Sequence, residues 1–136
     1  HWAGSIKPNK FHAEGFYNPL FYYGQSKLAN LLFSNALAEQ FANTTITNNA
    51  LHPGGVASDI YRQLPKPVYE VMKLGLVPTS VPAKLITEMA IGDDWANRNG
   101  EYVSAHMPNW KSSYAKDQQL ARDLYAQSMT LVEKFL

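Results

Sequence analysis

No cysteine occurs anywhere in the 136 residues. The fold therefore has no disulfide framework, no thiolate nucleophile and no Cys-ligated zinc. That absence fits a reducing compartment, and a cytoplasmic location is the expectation. A basic stripe is missing too. The formal net charge is +1, with Lys and Arg scattered from Lys7 to Lys134, so nothing tracks a phosphate backbone and no nucleic-acid partner is expected. The longest apolar stretches, such as residues 74–78, are far too short to span a bilayer as a helix, and this segment does not indicate membrane association. The N-terminus, opening on His1, lacks the basic, apolar and small-residue regions of a secretion signal, and the chain is expected to begin inside a longer protein. The four histidines have no metal-ligand spacing, and His52 and His106 are read as structural.

What is present is a globular composition. Hydrophobic residues make up 46% and charged residues 17%, enough apolar surface for one modest core and for either a lone domain or a piece of a larger one. Residues 1–20 show no sustained period and read as an irregular loop. Residues 21–41 have apolar side chains at three- and four-residue steps, Leu28, Leu31, Leu32, Ala36, Leu37 and Phe41, widened by Ala29, Phe33 and Ala38. This predicts a helix covered on two sides. Residues 45–51 predict a short strand, weakened by Asn48 and Asn49, that ends at His52-Pro53-Gly54-Gly55. Residues 65–75 and 80–91 predict two further helices, the second capped by Thr79 or Ser80 with Pro82 in its first turn. Residues 100–107 predict a second strand and residues 114–134 a last helix. Strands separated by helices imply a parallel sheet with crossover connections, but two strands cannot form a sheet with both faces covered. The pattern is that of half an α/β domain. Asn43-Thr44-Thr45 matches a glycosylation sequon and is read as a surface turn.

The chemistry is concentrated in Tyr23-Gly24-Gln25-Ser26-Lys27. A phenol and an ammonium four residues apart share one helix face. A free phenol is a poor proton shuttle at neutral pH, and a nearby positive charge favours the phenolate, so the pair makes a usable general acid or base. The spacing alone is weak. Tyr69 and Lys73 repeat it in a segment that Gly75 and Pro78 close off, where an exposed helical turn is the expectation. Around Tyr23 the context differs: a long apolar helix, a short strand and then Pro53-Gly54-Gly55-Val56-Ala57-Ser58, a turn at the C-terminal edge where open parallel sheets bind ligands.

This ordered set resembles the short-chain dehydrogenase/reductase family, and more closely its retinol-dehydrogenase-like and WW-domain-oxidoreductase-like branch. The matching stretches are Tyr23-Gly24-Gln25-Ser26-Lys27-Leu28-Ala29-Asn30, Asn49-Ala50-Leu51-His52-Pro53-Gly54-Gly55-Val56 and Gly100-Glu101-Tyr102-Val103-Ser104, and the helix over residues 120–132 is similar as well. The resemblance covers essentially the whole chain. It implies the C-terminal portion, over residues 1–136, of a Rossmann-like doubly wound parallel sheet. It also implies hydride transfer between NAD or NADP, with NADP favoured, and a lipophilic alcohol, aldehyde or ketone. Tyr23 would exchange the proton with the substrate oxygen, and Lys27 would hold the ribose hydroxyls and favour the phenolate. Pro53, Gly54, Gly55 and Val56 would face the nicotinamide, with Val56 backbone groups on its carboxamide and Ser58 standing where the family commonly has threonine. Family members often pair the helix at residues 21–41 with its copy in a second subunit, which implies a homodimer through that helix.

Several family parts have no counterpart in this sequence. No glycine-rich phosphate-binding loop opens a strand-to-helix unit, and Asn48-Asn49-Ala50 is not the family's Asn-Asn-Ala-Gly strand, because Leu51 replaces the glycine. The catalytic serine is expected a few residues before His1, and neither Ser5 nor Ser26 replaces it. An active parent and an inactive isolated chain are therefore expected. A rival reading is a non-catalytic truncated Rossmann-fold protein acting through protein-protein interaction. A hydrolase is disfavoured, since Gly24-Gln25-Ser26 begins like a nucleophile elbow but Leu28 stands where the closing glycine belongs. Met72, Leu74, Leu76 and Val77 are expected to wall an apolar substrate cleft.

Overall fold

The computed structural model describes Ile6, residues 18–59 and residues 65–136. Most of the loop expected over residues 1–20, including Ser5, lies outside the described residues. The last residues of that stretch are helical. Asn18 caps helix α1 (Pro19–Gln40), its side-chain oxygen accepting the Leu20 and Phe21 N–H groups at 3.1 and 3.3 Å. Pro19 is tolerated in that first turn because the N–H it lacks would have no intrahelical partner. At the other end Phe41 leaves the helical conformation, and the Thr44 hydroxyl donates to the Phe41 carbonyl at 2.9 Å. The sequon segment is thus an exposed turn.

Strand β1 is Ala50–His52 and strand β2 is Tyr102–Ser104, parallel, with Ala50 opposite Tyr102, Leu51 opposite Val103 and His52 opposite Ser104. The expected parallel sheet with a helical crossover is present, but both strands are shorter than predicted. Residues 45–47 form no strand, and Ile46 and its neighbours are exposed. The cause lies in side-chain amides that replace ladder bonds. The Asn48 N–H donates to the Asn99 side chain at 2.9 Å, and the Asn49 side chain both accepts the Glu101 N–H at 2.9 Å and donates to the Arg98 carbonyl at 2.8 Å. β2 stops where the Ser104 N–H turns to the Asn109 side chain at 2.7 Å and the Ser104 hydroxyl accepts the Met107 N–H at 3.0 Å.

Between the strands run α2 (Lys66–Lys73) and α3 (Ser80–Ile91), followed by a 3-10 turn at Asp93–Trp95. α3 has the predicted bounds, but neither Thr79 nor Ser80 caps it through a side chain; Thr79 is already in helical conformation. The last helix is shorter than predicted. A 3-10 turn at Tyr114–Lys116 gives way to α4 (Gln118–Val132), because Asp117 adopts extended backbone and its carboxylate accepts the Leu120 N–H at 2.9 Å.

The core joins α1, α4 and one face of the sheet. Leu28, Leu31, Leu32 and Ala36 of α1 cluster with Leu120, Ala121 and Leu124 of α4 and with Tyr102, while Ala50 packs against them. Leu28 and Leu32 are completely buried, each burial contributing about 1.5–3 kcal/mol. Asn35, buried among them, donates to the Ala115 carbonyl at 2.9 Å, which satisfies the amide that burial would otherwise leave costly. The Arg122–Glu39 bridge at 3.0 Å links α4 to α1 at the surface, where half-exposed charges contribute little. Leu51, next to Ala50, lines a cavity together with Ile86, Met89 and Ala90 of α3. Among the described residues no helix is long and apolar enough to cross a membrane.

Asn48 is a tether rather than the weak point its polarity suggests. Its side-chain nitrogen donates to the Ser34 carbonyl and hydroxyl, both at 2.7 Å, and its carbonyl accepts the Gly100 N–H at 2.9 Å. Replacing it by Ala leaves Ser34 groups of α1 without their partner. Asn48→Ala is expected to cost about 1–3 kcal/mol, read as a lowered urea midpoint at unchanged slope.

Candidate active site

The helix register sets Tyr23, Lys27 and Asn30 on successive turns of one α1 face, beside the buried Leu28 and Leu31 stripe. Strand β1 ends at His52, and the chain turns through Pro53 and Gly54. These two features meet. Tyr23, Lys27, Asn30 and Leu31 from α1, Ala50, Leu51 and His52 from β1, Pro53 and Gly54 from the turn and Tyr102 from β2 line one cleft of about 310 Å³. It opens at the C-terminal end of β1, the edge at which parallel sheets take ligands.

Tyr23 is 63% exposed, and the Lys27 ammonium stands over its ring, 5.4 Å from the centroid. That separation is within cation–π range. The Ser26 hydroxyl donates to the Tyr23 carbonyl at 2.8 Å, one turn back on the same helix. Ser26 is therefore an ordinary helical serine with no strand-to-helix elbow around it. Tyr69 and Lys73 lie on α2, which buries none of its residues, and take no part in the cleft.

The turn is held by its own backbone. Gly54 has φ +80°, a left-handed conformation that an L side chain pays to adopt. Val77 donates to the Gly55 carbonyl at 2.8 Å and Ala57 donates to the Val77 carbonyl at 2.9 Å, a short parallel bridge between Val56 and Val77. In such a bridge the groups of Val56 itself point away from Val77. Its carbonyl accepts the Ser58 N–H at 2.9 Å, and its own N–H has no partner among the described residues. Of the residues predicted for the site, Tyr23, Lys27, Pro53 and Gly54 therefore line the cleft, whereas Gly55, Val56 and Ser58 follow it along the turn.

The apolar wall expected from Met72, Leu74, Leu76 and Val77 is not found there. None of them lines this cleft. Val77 is buried by its bridge to Val56, and Leu74 is 90% exposed. The apolar lining comes instead from Leu31, Leu51, Pro53 and Tyr102. Asn30, His52 and Tyr102 are further polar members that the motif comparison passed over. Their signal was available as periodicity: Asn30 follows Tyr23 by seven residues on one helix face, and His52 follows Ala50 by two on one strand face. Burial lowers the proton affinity of the His52 imidazole below its usual value and raises the Tyr102 phenol above its own. Among the described residues no cluster of three or more His, Asp or Glu could hold a metal ion.

No protein-family model matches the chain. No solved structure matches it either. Curated proteins do. Mouse retinol dehydrogenase 12 is 33% identical over 134 residues, covering 97% of this chain and 42% of the relative. Human retinol dehydrogenase 14 is 30% identical over 135 residues, covering 95% of this chain and 40% of the relative. The chloroplastic short-chain dehydrogenase TIC 32 A of Brassica napus is 36% identical over 117 residues, covering 82% and 36%. The chain thus spans well under half the length of these relatives.

Two stability predictions follow from the turn. A Cβ on Gly54 would meet only the His106 Cβ, at an ordinary 3.5 Å, so Gly54→Ala is expected to lose about 1–2 kcal/mol through backbone strain alone, measured as a fall in thermal midpoint. His52 binds a proton less readily in the folded state than in the unfolded one. Its contribution to stability is therefore complete above about pH 6.5 and is lost as pH falls through the lowered folded value. Urea midpoints at about pH 8 and about pH 5 should diverge less in His52→Gln than in the unsubstituted chain.

Proposed function

We propose, because the chain belongs to the short-chain dehydrogenase/reductase family on its retinol-dehydrogenase-like side, that it provides the proton-transfer half of an oxidoreductase site. The reaction is hydride exchange between NAD or NADP and a lipophilic alcohol, aldehyde or ketone. The observation that carries this reading is the meeting of Tyr23 and Lys27 with Pro53 and Gly54 in one cleft at the C-terminal end of β1. The architecture is read as the C-terminal half of a Rossmann-like doubly wound sheet, in keeping with the two parallel strands joined by a helical crossover.

The residues present fit the nicotinamide–ribose end of such a cofactor. An exposed phenol and an ammonium stand on one wall, a glycine turn without side chain bulk forms the rim, and the Val56 N–H past that rim has no partner among the described residues. When bound, the nicotinamide donates or accepts the hydride. Tyr23 takes the proton from the substrate hydroxyl in oxidation and returns it to the carbonyl oxygen in reduction. Lys27 offers donors to the ribose hydroxyls. Leu31, Leu51 and Pro53 give the cleft an apolar wall that suits a lipophilic substrate, in keeping with the retinol dehydrogenases among the relatives. NADP is favoured over NAD by the resemblance alone. The phosphate-binding glycine loop has no counterpart in these residues, so the chain by itself is read as inactive.

In the full-length protein that carries this segment, Tyr23→Phe is expected to lower kcat by about a hundredfold or more in a nicotinamide absorbance assay, with cofactor affinity retained. Hydride transfer that survives this substitution defeats the assignment. The 136-residue chain alone is expected to turn over no reduced cofactor.

A further inference from the structure

The dipeptide Asn-Gly occurs once in the 136 residues, as Asn99-Gly100. Asparagine is chemically labile in this context, because glycine has no side chain to keep its own main-chain nitrogen away from the asparagine amide carbon. The fold has a separate reason for each residue. Gly100 has φ +77°, the left-handed conformation that an L side chain adopts only under strain. Asn99 is needed as an amide, with donor and acceptor both in use. Its side-chain nitrogen donates to the Ala38 carbonyl of α1 at 2.8 Å, and its side-chain oxygen accepts the Asn48 N–H at 2.9 Å. Together these two requirements place an unstable pair at the base of the sheet.

The same contacts hold the pair unreactive. Ring closure needs the Gly100 nitrogen, freed of its proton, to reach the Asn99 amide carbon. In the folded chain the Gly100 N–H is donated to the Asn48 carbonyl at 2.9 Å, and the Asn99 amide is pinned between Ala38 and Asn48. Neither residue is sealed from water, since Asn99 is exposed and Gly100 half-buried. Reaction therefore follows whenever this latch opens locally. We propose that Asn99 is a covalent modification site, a latched deamidation site whose conversion detaches the base of β1 from α1. The Gly100 nitrogen forms a bond to the Asn99 side-chain carbon, the amide C–N bond breaks, and ammonia leaves carrying the glycine proton. Water then adds across one C–N bond of the succinimide, giving aspartate or isoaspartate, and nothing is oxidised or reduced. Aspartate keeps the acceptor for the Asn48 N–H but has no donor for the Ala38 carbonyl, and it sets a negative charge against that oxygen. Isoaspartate goes further: it lengthens the main chain by one carbon just before Gly100 meets Asn48 and the Glu101 carbonyl accepts the Ala50 N–H at 2.8 Å. The site depends on the fold alone and stands apart from the oxidoreductase reading.

Peptide mapping by mass spectrometry tests the site. The full-length protein that carries this segment is incubated in mildly alkaline buffer, native and unfolded in guanidinium, and aspartate and isoaspartate are quantified at each asparagine. Unfolded, Asn99 is expected to convert before every other asparagine of the segment; native, its conversion is expected to be slower by about tenfold or more. Equal rates in the two states overturn the latch, and another asparagine leading in the unfolded protein overturns the site. Asn99→Asp then reads the consequence. Its urea midpoint is expected to fall, whereas Asn97→Asp, at an exposed neighbour that makes no hydrogen bond among the described residues, is expected to keep the midpoint of the unsubstituted protein. An Asn99→Asp protein that fails to fold while Asn97→Asp folds is the same loss in extreme form. Matching midpoints in the two variants overturn the detachment.

Discussion

Leu28 and Leu32, one turn apart and fully buried, decide the rotation of α1 about its axis, and most of the molecule follows from that rotation. With those two leucines turned into the cluster formed by α4 and the sheet, the neighbouring face that carries Tyr23, Lys27 and Asn30 has to open along the end of β1. A rotation of even one residue step, about 100°, would bury the ammonium or expose the leucines. Hydrophobic burial worth about 1.5–3 kcal/mol per side chain thus aims the polar groups, although those groups make few contacts of their own.

The sheet imposes the second constraint. Two short parallel strands offer little ladder, and asparagine side chains make up the difference. Asn48, Asn49 and Asn99 replace missing backbone pairs and tie the base of β1 to α1: Asn99 donates to the Ala38 carbonyl at 2.8 Å, and Asn48 reaches Ser34. The strand end is therefore fixed relative to the helix at its base, and the cleft between them has defined walls. The bridge between Val56 and Val77 continues the same task past the glycine turn.

Much of the fold could be read in advance because its signals are local. The periodicity of α1 and α3, the parallel crossover and the turn after β1 depend on neighbours a few residues away. The lengths of the strands did not emerge, since the amide groups that shorten them come from Asn99 and Asn109, and a single run such as residues 45–51 does not reveal which distant side chain will take its backbone hydrogen bonds. The site divides in the same way. Tyr23 and Lys27 share one helix face through their spacing, and Pro53 and Gly54 follow a strand end, so local signals already brought these four toward the cleft that they line. The wall expected from Met72 to Val77 failed because apolar composition cannot distinguish a residue facing a cleft from one bridging the main chain, as Val77 does, or facing solvent, as Leu74 does.

By itself the sequence determined the helix that carries the phenol and the ammonium, the glycine turn that follows β1, and the family that the chain resembles. These rest on periods, backbone preferences and ordered motifs, which a linear string contains in full. The tertiary structure alone decided that His52 and Tyr102 share the cleft with Tyr23 and that Val56 is left with an unpartnered N–H among the described residues. Those facts depend on how β1 and β2 register and on which face of α1 the core accepts, and packing settles both between residues far apart in the sequence, such as Asn35 and Ala115, 80 positions apart.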